Sequence, residues 1–85
     1  MSDAVCMDVE LMTLENAILS CLGQECHLYN GAAGGVWPDK LSKQNVREIV
    51  AVAKLVPRNQ IVGATFKICF FQEENFPDRW VPRDV

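Results

Sequence analysis

Cys6, Cys21, Cys26 and Cys69, with the single histidine His27, are the side chains whose chemistry could go beyond contact. Cysteine and histidine are the usual zinc ligands, and structural sites commonly open with two cysteines a few residues apart. Cys21 and Cys26 reach only the outer limit of that spacing, and Cys6 and Cys69 are remote, so no metal site is expected. A thiolate beside an imidazole would make a nucleophile. Cys26 and His27 are adjacent, however, and neighbouring side chains of an extended segment point to opposite sides. Asp8 with Glu10, and Glu73 with Glu74, read as a solvated strand face and a solvated turn rather than as an acid–base couple. The glycines of Asn30-Gly31-Ala32-Ala33-Gly34-Gly35 match neither GxGxxG nor GxxxxGK[ST], which leaves a turn as their role. The chain is therefore expected to be no enzyme and to use no cofactor.

Charge is the stronger signal. Every lysine and arginine lies at or after Lys40, whereas the preceding residues carry Asp3, Asp8, Glu10, Glu15, Glu25 and Asp39. Lys40, Lys43, Arg47 and Lys54 recur at intervals that gather them on one side of a helix. Such a stripe can steer an acidic protein surface or follow nucleic-acid phosphates. The net charge of −3 disfavours a polyanion, and the aromatic residues do not interleave with the stripe as a stacking platform requires. An acidic protein partner is the preferred reading, nucleic acid the alternative, with Trp37 and Trp80 as apolar anchors.

These groups need elements to hold them. Residues 4–11 alternate Val5, Met7, Val9 and Leu11 with Cys6, Asp8 and Glu10, a half-buried strand. A helix capped by Thr13 is expected next, ending at Gly23. Residues 30–39 form a glycine-rich loop. From about Leu41 to Val56 the spacing predicts an amphipathic helix with Val46, Ile49, Val52, Ala53 and Val56 inward, capped by Ser42 or Asp39 and stopped by Pro57. Ile61 to Phe71 reads as a long strand with Val62, Ala64, Phe66, Ile68 and Phe70 on one face. Residues 72–85 read as an extended C-terminal tail, kept out of the ladder by Pro77 and Pro82.

The expected fold is α+β: one domain over residues 1–85, a small sheet of two to four strands, and two helices packed on one face. The start lacks the basic and apolar signature of a signal peptide, and no run is long enough to span a membrane. A cytoplasmic setting with four free thiols follows as an expectation. An apolar fraction of 49% suggests surface left for association, including a homodimer through the long strand or the open sheet face. The whole reads as a small interaction or regulatory module.

Overall fold

The structure, a computed structural model, describes residues 4–29, 35–38 and 40–84. Strand β1 (Val5–Val9) leads into helix α1 (Leu11–Leu22), then come helix α2 (Lys43–Lys54), a short 3-10 turn (Arg58–Gln60), and strands β2 (Phe66–Glu73) and β3 (Phe76–Asp84). The strands form one antiparallel sheet in the order β1-β2-β3. This is the α+β arrangement expected from the sequence. Most of the glycine-rich loop (residues 30–34), and Asp39 as a possible cap, lie outside the described residues.

Alternation dictates how the sheet is used. Met7 and Val9 of β1, Ile68 and Phe70 of β2, and Trp80 and Pro82 of β3 are all buried. Met7, Val9, Ile68, Phe70 and Trp80 join Leu14, Ile18, Leu41, Val46 and Ile49 in one core. Removing these apolar groups from water is the dominant stabilising term. Cys6, Asp8, Lys67, Phe71, Val81 and Arg83 occupy the alternate positions. On that side the Arg83 guanidinium lies 5.8 Å from the centre of the Phe71 ring.

Helix α1 begins at Leu11, three residues earlier than a Thr13 cap implies. Glu10 is its N-cap in extended conformation, with its carbonyl accepting from the Leu14 amide at 3.0 Å. Thr13 is thus inside the first turn and caps nothing, because the chain turns from strand to helix without the intervening loop such a cap presumes. The end is as expected: Gly23 takes the left-handed conformation (φ 65°) and donates to the Leu19 carbonyl at 2.8 Å.

Helix α2 is capped by Ser42. Its hydroxyl accepts from the Asn45 amide at 3.2 Å, while the Asn45 side chain accepts from the Ser42 amide at 3.2 Å, a reciprocal box. The buried face is Val46, Ile49, Val50 and Ala53, the i, i+3, i+4, i+7 stripe. Val52 and Val56 flank it half-buried.

Two expectations about the strands need correction. The long strand starts at Phe66 rather than Ile61: Val62 is 81% exposed and Gly63 has φ 116°, a conformation that breaks an extended run. The C-terminal tail joins the ladder as β3. Its prolines are accommodated because β3 is an edge strand, where an N–H turned away from the sheet is dispensable. A register shift between Gln72 and Glu73 absorbs the remainder, and the Gln72 side-chain amide donates to the Pro77 carbonyl at 2.9 Å there.

Candidate interaction surface

The structure separates the thiols into two classes. Cys6 and Cys69 face each other across β1 and β2 and are joined by a disulfide, so the expectation of four free thiols is overturned for this pair. Placement by strand register brings together two residues 63 apart in the chain, which no local spacing reveals. The reducing-compartment argument for a cytoplasmic setting loses its footing, since such bonds persist in oxidising surroundings. Among the described residues, no helix is long and apolar enough to cross a membrane.

Cys21 and Cys26 are free. Burial, followed by the Glu15 carboxylate, pushes the Cys26 thiol up to about 11, and burial followed by Glu48 raises Cys21. Raised values keep both as neutral thiols near neutral pH, the opposite of what activates a cysteine nucleophile. Cys26 is buried while its neighbour His27 is exposed, as extended geometry demands. The His27 carbonyl accepts from the Val36 amide at 2.8 Å, closing a bridge, and the Leu28 amide donates to Glu15 Oε1 at 3.2 Å. Among the described residues, no group of three or more histidine, cysteine or acidic side chains is placed to hold a metal ion.

The basic residues are distributed as follows. Lys43, Arg47 and Lys54 lie on α2 at spacings of one and two turns, so they share a flank of the helix. Arg47 and Lys54 are exposed, and neither has an ion-pair partner among the described residues. Lys43 is half-buried, its Nζ 6.0 Å from the centre of the Trp80 ring, a cation–π arrangement. The stripe therefore begins where α2 meets β3. Lys40 is exposed but precedes the Ser42 cap, outside the helix, where it lines a shallow cleft with Phe76, Asp78 and Arg79.

The two tryptophans, expected as apolar anchors, differ in exposure. Trp80 is 5% exposed and belongs to the core, so it cannot insert into a partner while the fold is intact. Its placement among charges in the tail conceals this, and only its position on the inner face of β3 explains it. Trp37 is half-buried and packs edge-on against Phe70, with ring centres 5.6 Å apart and an interplanar angle of 87°.

Sequence reasoning missed two surface features. A groove between α1 and the end of α2 has mixed walls, apolar at Met12, Val52, Val56 and Val62 and polar at Glu10 and Asn16. Arg79 and Glu73 form an ion pair at 3.3 Å (Nε to Oε2) across the β2–β3 hairpin. Partial exposure of both limits its contribution to stability.

No family model matches the chain, nor does any curated protein or solved structure.

Proposed function

We propose that this protein is a non-catalytic interaction module that recognises an acidic protein surface through the basic flank of α2. The observation that carries the reading is the pair Arg47 and Lys54: exposed, two turns apart on one rigid element, and without carboxylate partners among the described residues. Fixed charges on a helix hold their geometry without ordering a loop on binding, and unpaired cations retain their attraction for a partner. Lys43 extends the flank, and Lys40 adds a positive charge just before the helix. Nucleic acid is the weaker reading, because the tryptophan beside the stripe is buried and offers no face for stacking.

A charge-reversal experiment tests this. An acidic peptide rich in glutamate and a duplex DNA would each be titrated by fluorescence anisotropy against the natural chain and the double variant R47E/K54E. Peptide binding that weakens with salt and falls about tenfold or more in the variant is the expected result. Equal binding of the peptide by both proteins removes the role of the flank, and tighter salt-dependent binding of DNA than of peptide replaces the acidic protein with a nucleic acid.

A further inference from the structure

The sheet has two edges, and among the described residues only one is closed. Cys6 and Cys69 have Cα atoms 4.0 Å apart, the narrow spacing of a pair that exchanges no backbone hydrogen bonds. Antiparallel ladders alternate, so Val5, Met7 and Val9 bond to Phe70, Ile68 and Phe66, while Cys6 and Asp8 turn their amides and carbonyls away from β2. The far edge supports the same phase. If Ile68 bonds to β1, its opposite number on β3, Asp84, turns its backbone outward, as do Pro82 and Trp80. The Trp80 amide is indeed found donating outward, to the Leu41 carbonyl at 3.0 Å. Pro82 has no amide to offer. The middle of the β3 edge is thus sealed by a bond and a proline, whereas among the described residues no turn, loop or cap hydrogen bond engages the Cys6 and Asp8 amides or carbonyls that the ladder's phase turns outward.

We infer that the β1 edge pairs with the β1 edge of a second copy of this chain, antiparallel about a two-fold axis at Met7. In that register Cys6 meets Asp8 of the second copy twice, and each pair exchanges two hydrogen bonds, so all four outward-turned groups of each strand are used. Met7 meets its own counterpart and Val5 meets Val9 of the second copy, which continues the apolar inner face across the junction. Asp8 faces a cysteine rather than another carboxylate, so like charges are not set directly opposite. The pairing is self-complementary, as a two-fold interface requires, and the sealed β3 edge stops growth at two copies. A homodimer through the long strand, as expected from the sequence, is ruled out as edge pairing because β2 is central and both its sides are occupied. The inference does not depend on the acidic-partner reading, since α2 takes no part in the ladder.

A ladder this short gives a weak, concentration-dependent dimer. Light scattering after size exclusion, at loading concentrations up to about 1 mM, is expected to show the mass rising from one chain towards two. Hydrogen exchange reads the register: the Cys6 and Asp8 amides should exchange about tenfold more slowly at the highest concentration than at the lowest, with Met7 and Val9 protected throughout. Asp8→Pro deletes an outward donor without touching a bond to β2, so this variant should retain the fold by circular dichroism and remain a monomer. Should it fail to fold, exchange in the natural chain decides. A monomer at every concentration, concentration-independent exchange at Cys6 and Asp8, or a folded Asp8→Pro variant that still dimerises would each overturn the inference.

Discussion

The Trp80 amide donates to the Leu41 carbonyl at 3.0 Å, and this bond ties the last strand to the segment that launches α2. Both side chains are buried in the common core, and Lys43, two residues beyond Leu41, lays its ammonium over the Trp80 ring. Trp80 thus joins the sheet, the core and the start of the basic flank. Of the proposed binding charges, Lys43 is placed against a residue buried in the core.

Trp80→Ala should therefore destabilise the fold by about 3–5 kcal/mol, the range for deleting a large buried aromatic group. Trp80→Phe, which keeps part of the volume, should cost clearly less. Urea unfolding followed by circular dichroism measures both, and an alanine variant within about 1 kcal/mol of the natural chain would contradict the packing role.

The Cys6–Cys69 bond should be a major contributor to stability. Closing a loop with a sequence separation of 63 removes denatured-state entropy equivalent to about 4 kcal/mol in the chain-entropy view. Alkylation of the unfolded chain without reductant should modify Cys21 and Cys26 only, read as intact mass. Oxidised and reduced samples should then differ in urea midpoint. Modification of all four thiols before reduction would show the bond to be absent.

What the sequence disclosed follows from how local each feature is. Helix α2 was legible because its apolar spacing, the Ser42 cap and the Pro57 stop all act within a few residues. The two faces of Phe66 to Phe71 were legible because side-chain alternation is a property of any strand. β3 was not: Pro77 and Pro82 forbid a central strand and allow an edge strand, and the choice depends on β1 pairing with the opposite side of β2. The disulfide and the burial of Trp80 follow from the same long-range register, so both were hidden for the same reason. In the candidate site, the charges Arg47 and Lys54 were readable and the state of their aromatic neighbours was not.

Gly35 is held by contact rather than by its own flexibility. A Cβ placed on it would lie 2.9 Å from the His27 carbonyl oxygen and 3.2 Å from Leu28 Cα, and backbone atoms cannot rotate aside. The same carbonyl accepts from the Val36 amide. Gly35→Ala should strain or open this bridge at a cost of about 1–3 kcal/mol, with faster hydrogen exchange at the Val36 amide as its local signature. An alanine variant of unchanged stability and exchange would show that the two segments separate freely.

Cys26 gives the fold a dependence on alkaline pH. Its thiol is raised from the ordinary 9.0 to about 11, first by burial and second by the nearby Glu15 carboxylate, both of which oppose the thiolate. The unfolded chain releases this proton at lower pH than the folded one. The stability associated with the neutral thiol is therefore complete below about pH 9, declines as pH rises from there, and is gone above about pH 11. Urea unfolding across this interval should show the decline, and Cys26→Ala should flatten part of it. Within the folded protein, alkylation of Cys26 should stay slow at pH 8 and accelerate only towards pH 11, whereas in urea it should follow an ordinary thiol. Glu15→Gln should move the onset downward without restoring the ordinary value, because the larger cause, burial, persists. Alkylation of folded Cys26 at pH 8 as fast as in urea would mean that the thiol is neither buried nor raised.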